Sequence, residues 1–156
     1  MKVKEIMKTQ LITIPKETSC KEAARILLKE KISGAPVVDD TGKLIGIISE
    51  KDVFRSLFPE HKEFHESPES YLEFEEMEYN ARSAAEEKKV NDVMTDRLIT
   101  ANPETPILKI GALMIASGIH RVPVLKKGKL IGIATRRDIY RAIMREYFEL
   151  WDVMEK

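Results

Sequence analysis

The chain has a single cysteine, three histidines and no excess of charge of either sign, and each scarcity removes a class of function. One thiol, Cys20, cannot close an internal disulfide, which suits a reducing, cytoplasmic setting. It stands at the start of an apolar helical pattern, where a thiol is more often packing than a nucleophile. The histidines lack Cys or His neighbours at ligand spacing, so no metal is expected, and His61 and His65 read as solvated. With 26 basic and 26 acidic residues, nothing draws the chain generally onto nucleic acid or an acidic membrane. No apolar run approaches the roughly 20 residues of a membrane helix. The opening MKVKEIMK has no signal-peptide core.

What the chain does have is one unit written twice. KVKEIMKTQLITIPKETS from Lys2 returns as KVNDVMTDRLITANPETP from Lys89, and GKLIGIISEKDVFRSLF returns as GKLIGIATRRDIYRAIM. One extra residue, Thr41, is all the gapping needed. A tandem copy of about 55 residues governs everything else, because each half is too small to bury a good core alone. Two copies packed about a pseudo-twofold axis, with function in the clefts between them, are therefore expected.

Within each copy the order is β-α-β-β-α, a mixed α+β fold of α/β-like character. Leu11–Ile14 and Leu98–Ala101 are short β-branched runs closed by prolines. A helix follows, capped by Thr18 or Ser19 with Glu22 completing a capping box. In the second copy Pro106 is expected at the first helical position. Ala23, Ala24, Leu27 and Leu28, and Ile107, Ile110, Met114 and Ile115, form the apolar faces. Then come two hairpins, turning at Asp39–Gly42 and Lys126–Gly128. The last helices begin near Ser49 and Thr135.

Candidate chemistry sits at those last starts, in Ser49-Glu50-Lys51-Asp52 and Thr135-Arg136-Arg137-Asp138. A hydroxyl and a carboxylate three apart at a strand-to-helix turn can accept hydrogen bonds from the cis-diol of a ribose. The same spacing is also a capping box, in which Asp52 and Asp138 satisfy backbone donors. On the tetrapeptides alone both readings stand, with capping the commoner.

The linked motifs L-I-T…P, x-P-V-V/L and G-K-L-I-G-I-x-S/T-x-x-D, in order and twice, resemble the cystathionine β-synthase (CBS) domain. Two in tandem resemble a CBS pair, or Bateman module. The resemblance implies a first motif over 1–58, an acidic helical insertion over 59–88, a second motif over 89–144 and a helical extension over 145–156. It implies that Ser49, Asp52, Thr135 and Asp138 meet a ribose. An adenine would lie against Thr13, Ile14, Pro15, Gly34, Ala35 and Pro36, or against Thr100, Ala101, Ile119, Val122 and Pro123. Most of these would be core in any case. His120 and Arg121 resemble the His-Arg pair before the proline in the γ subunit of the AMP-activated kinase. With Arg136, Arg137 and Lys51 they are the candidate phosphate cations. Small residues face these cations in the first copy, so one better phosphate site is expected.

The function so implied is a non-catalytic regulatory module. It would bind AMP, ADP, ATP or S-adenosylmethionine, need no cofactor, and signal to an effector protein or through its own homodimer. The alternative is a ligand-independent dimerisation scaffold with vestigial pockets. An enzyme would need a nucleophile, a metal cluster or an acid–base pair, and the sequence offers none. The insertion reads as a helix capped by Ser67 and Pro68, with Glu78 and Arg82 paired and Leu72, Met77, Ala81 and Ala84 toward the core. Ile143, Met144, Tyr147, Phe148, Trp151 and Met154 continue an apolar stripe, packed by default on the protein's own core, with burial in a homodimer close behind.

Overall fold

The computed structural model describes residues 1–57 and 74–150. These divide into two compact units, and the division does not follow the repeats. Of the described residues, 12–57 and 74–97 form one unit, and 1–11 with 98–150 form the other. Each repeat's opening segment packs on the other repeat's body.

In the first of these units the elements are β1 (Ile14–Pro15), α1 (Cys20–Lys29), β2 (Gly34–Val38), β3 (Leu44–Ser49), α2 (Glu50–Arg55), α3 (Phe74–Glu87) and α4 (Val90–Val93). The sheet runs β1-β2-β3, with β1 parallel to β2 and β3 antiparallel to it. The incoming segment docks by backbone bonds: Cys20 N–H to Lys88 O (2.9 Å), Val90 N–H to Thr18 O (2.8 Å), and a reciprocal pair at 2.9 Å between Ile47 and Thr95. Ile14, Ala23, Leu27, Val37, Ile48 and Val90 close its core.

The other unit repeats the plan with α5 (Ile107–Ser117), β4 (Arg121–Lys126), β5 (Lys129–Thr135) and α6 (Arg136–Tyr147). Ala101 bridges Val124 in parallel, as the counterpart of β1. Here the N-terminal segment docks: Val3 N–H to Thr105 O (2.9 Å), and a reciprocal pair between Lys8 and Ile133 at 2.9 and 3.0 Å. Val3, Ile107, Ile110, Met114, Val122 and Ile139 lie in its core.

The local reasons are visible residue by residue. Ser19 caps α1, its Oγ accepting from Glu22 N–H at 3.1 Å. Pro106 is the cap of α5 rather than its first residue, one position earlier than the sequence suggests. In the second hairpin Lys127 and Gly128 both take positive φ, the two-residue turn that matches strand twist. The first hairpin's extra Thr41 is held by Asp39 Oδ1, which accepts from Thr41 N–H, Thr41 Oγ1 and Lys43 N–H. The Thr41 hydroxyl, then the Lys43 amide, holds the Asp39 carboxyl below its usual range. Cys20 is fully buried, and that burial pushes its thiol up.

Two expectations need correction. Leu28 and Ile115 are not on the buried faces of their helices; each is 75% exposed. Helices α1 and α5 bury one narrow stripe against their sheets, and the position one past Leu27 or Met114 points away. Met144, Tyr147 and Phe148 are likewise exposed rather than packed on the core. Within the insertion, the Glu78–Arg82 pair is present at 3.5 Å, and Ala81 and Ala84 are half-buried. His61, His65, Ser67, Pro68, Leu72, Trp151 and Met154, and the side chain of Met77, lie outside the described residues.

Candidate functional site

Each unit carries one strand-to-helix turn of the same construction. β2 and β3 pair so that Gly34 lies opposite Ser49, and β4 and β5 pair so that Arg121 lies opposite Thr135. The first N–H of each following helix donates to the residue just before the opposing strand. Glu50 N–H reaches Ser33 O at 3.1 Å, and Arg136 N–H reaches His120 O at 2.8 Å. Neither carbonyl could be singled out from the sequence, since every residue has one.

The capping reading of the S/T-x-x-D motif is correct in both units. Asp52 Oδ2 accepts from Ser49 N–H (2.9 Å) and Ser49 Oγ (2.8 Å), while Asp52 N–H donates to Ser49 Oγ at 3.2 Å. Asp138 Oδ2 accepts from Thr135 N–H (3.3 Å) and Thr135 Oγ1 (2.6 Å), and Asp138 N–H donates back at 3.3 Å. Asp52 is buried and Asp138 half-buried.

Capping does not exhaust either group. Every hydrogen bond to each carboxylate falls on Oδ2, so among the described residues Oδ1 has no commitment. Each hydroxyl gives its proton to the carboxylate and keeps a lone pair, so it can only accept from a newcomer. A ligand suited to this turn must therefore bring its own donors. A vicinal diol brings two.

The other candidate residues fall within the same unit as their Asp. Thr13 and Pro15 are exposed beside buried Ile14, and Gly34 is half-buried beside buried Ala35 and Pro36. In the second unit Thr100 is exposed and Ile119 half-buried, while Ala101, Val122 and Pro123 are buried. Ile14, Ala35 and Val122 are thus core side chains. Lys51, Arg136 and Arg137 are exposed on first helical turns and form no ion pair with any described residue. Among the described residues no group of three His, Cys, Asp or Glu is placed to hold a metal, and no helix is long and apolar enough to cross a membrane.

Comparison with known proteins gives this geometry a family. The CBS domain model matches twice, over residues 3–59 and 90–145. The uncharacterized protein MJ1426 of Methanocaldococcus jannaschii is 35% identical over 156 residues, with 92% of each chain covered. The CBS domain pair of protein MJ0100, solved with 5′-methylthioadenosine and S-adenosyl-L-methionine, superposes with a TM-score of 0.71 at 29% identity, covering 94% of this chain and 98% of that one. CBSX2 of Arabidopsis thaliana, solved with AMP, superposes with a TM-score of 0.69 at 26% identity over 94% and 98%. Other relatives are longer: the chain spans 42% of MJ1225 and 22% of the L-aspartate semialdehyde sulfurtransferase, both of M. jannaschii. Two matched motifs, the α+β repeat in each unit and the shared S/T-x-x-D turn lead to one conclusion: this chain belongs to the CBS domain family, as a tandem pair.

Proposed function

We propose that the chain is a non-catalytic regulatory module that binds adenosine-containing ligands and reports their presence to a partner protein or through its own homodimer. The observation that carries this reading is that Oδ1 of Asp52 and of Asp138, set at the same turn in both units, takes no hydrogen bond from any described residue. A ribose offers two hydroxyl donors, which is what an acceptor-only turn lacks. The protein need not reorganise its cap to receive them, because Oδ2 already holds the helix start. Solved relatives with AMP, or with 5′-methylthioadenosine and S-adenosyl-L-methionine, support adenosine as the common element. Signalling requires only that the ligand favour one arrangement over another.

The test is thermal unfolding with AMP, ADP, ATP and S-adenosylmethionine in turn. A ligand present at 100 times its dissociation constant stabilises the folded state by about 2.7 kcal/mol. For a chain of this size that is a melting shift of roughly 5–10 °C. The shift should vanish for a site whose Asp is replaced by Ala. No shift from any of them at millimolar concentration would remove the ligand reading.

A specific observation also favours the dimer itself. Leu28 of α1 and Ile115 of α5 occupy equivalent repeat positions and are both 75% exposed, with Met144 and Tyr147 exposed on α6. Large aliphatic side chains at matched positions of a tandem repeat are what an isologous interface uses. If no ligand binds, a dimerisation scaffold is the reading that remains.

A further inference from the structure

The two turns share a frame but not a charge. Backbone pairing gathers four positions at each: Ser33, Gly34, Ser49 and Glu50 in one unit, His120, Arg121, Thr135 and Arg136 in the other. Glu50 is the one charged residue of the first set, and Arg121 and Arg136 are the charged residues of the second. At the matched positions Glu50 and Arg136 alone the two units differ by two unit charges. Lys51 and Arg137 follow with the same sign, and Asp52 matches Asp138, so neither alters the contrast. Arg121 stands directly opposite Thr135, and opposed residues of an antiparallel pair project to the same face. The first unit has glycine there, hence no side chain at all.

We propose that the two sites divide their ligands by charge. The turn at Thr135–Asp138 takes a phosphorylated, anionic nucleoside. The turn at Ser49–Asp52 takes a nucleoside whose 5′ substituent carries no negative charge. This rests on the reading that the Asp residues hold a ribose. Diol recognition is the same in both units and so discriminates nothing. The 5′ group is the part of the ligand that differs. A unit charge within about 10 Å of such a group near a protein surface changes affinity several-fold. The Arg136 guanidinium offers a planar donor fork to phosphate oxygens. Glu50 supplies the repulsive element that specificity also needs.

The experiment is isothermal titration of the full chain with AMP and, separately, with 5′-methylthioadenosine, a nucleoside thioether without charge. Each should fill one site per chain, and prior saturation with one should leave the other's binding in place. Arg136→Glu should weaken AMP roughly tenfold or more and leave the thioether unchanged. Glu50→Arg should create a second AMP site. Residues 50 and 136 are exposed on first helical turns, so neither exchange threatens folding, and melting curves verify this. Competition of the two ligands for one site, or AMP binding indifferent to Arg136→Glu, overturns the division while nucleoside binding stands. Absence of heat with both ligands overturns the ribose reading and the division with it.

Discussion

The Met94 sulfur lies 2.5 Å from where a Cβ would stand on Gly46, and its counterpart Met7 lies 2.6 Å from the same point on Gly132. In both units the docked segment lays a methionine across a glycine of the strand it pairs with. The backbone carbonyls of Thr95 and Lys8 close the same space at 3.0 and 3.1 Å. A thioether can swing aside, but a carbonyl within a reciprocal hydrogen-bonded pair cannot. Gly46→Ala and Gly132→Ala should each cost about 1–3 kcal/mol, the usual penalty of overpacking a fitted site. Denaturant unfolding measures it. Adding Met94→Ala to Gly46→Ala should recover only part of the loss, because the Thr95 carbonyl remains. Full recovery would show that the sulfur alone demands the glycine.

The capping geometry predicts a graded response at the two aspartates. Replacing Asp52 by Ala removes two bonds at a buried helix start and should cost about 1–2 kcal/mol. Asp138, half-buried and with longer backbone bonds, should cost less. Asn keeps an acceptor for the Ser49 and Thr135 amides and should recover much of the stability in both places. Chemical denaturation of the four variants compares them. Equal losses for Asp52→Ala and Asp52→Asn would mean that charge, rather than the cap, stabilises the turn.

Much of this was readable in the sequence, for identifiable reasons. The hairpin turns and the Ser19, Ser49 and Thr135 caps depend on residues within a few positions of each other, and local chemistry decides them. The exchange of opening segments depends on Val3 meeting Thr105 and on Val90 meeting Thr18. A repeat contains no information on which copy receives which segment, since both segments fit both bodies equally by pattern. Leu28 and Ile115 are not distinguishable from core positions by pattern, because a four-residue apolar stripe fits a helix facing two neighbours as well as one facing a single sheet. The S/T-x-x-D turn could be read as cap or as ligand site, and only atomic geometry shows that the cap uses one carboxylate oxygen and leaves the other.

Acid should loosen the docking of the N-terminal segment. Glu104 bridges Lys2 (2.5 Å) and Lys4 (2.6 Å), and these ammonium groups pull its carboxyl from 4.5 down to about 2. A folded-state value below the unfolded one adds stability that is present above pH 4.5 and lost as pH falls towards 2. The three side chains are about half exposed to solvent, so salt should screen the contribution. Melting temperature should therefore fall over that window, and less steeply in Glu104→Gln. An identical acid limb in Glu104→Gln would place the acid sensitivity on other carboxylates.

The matched exposure of Leu28 and Ile115 yields a prediction that separates assembly from folding. Neither side chain belongs to a core, so Leu28→Lys and Ile115→Lys should change the unfolding free energy of the isolated chain by no more than about 0.5 kcal/mol. If α1 and α5 meet a second copy through these positions, each substitution buries an ammonium in an apolar contact and the dimer should dissociate. Sedimentation or light scattering at micromolar protein reads the change as a halving of mass. The double variant should be no worse folded than either single one, because the two residues lie in separate units. A wild-type chain that already sediments as a monomer would remove the dimer from the proposed function and leave a partner protein as the receiver of the signal.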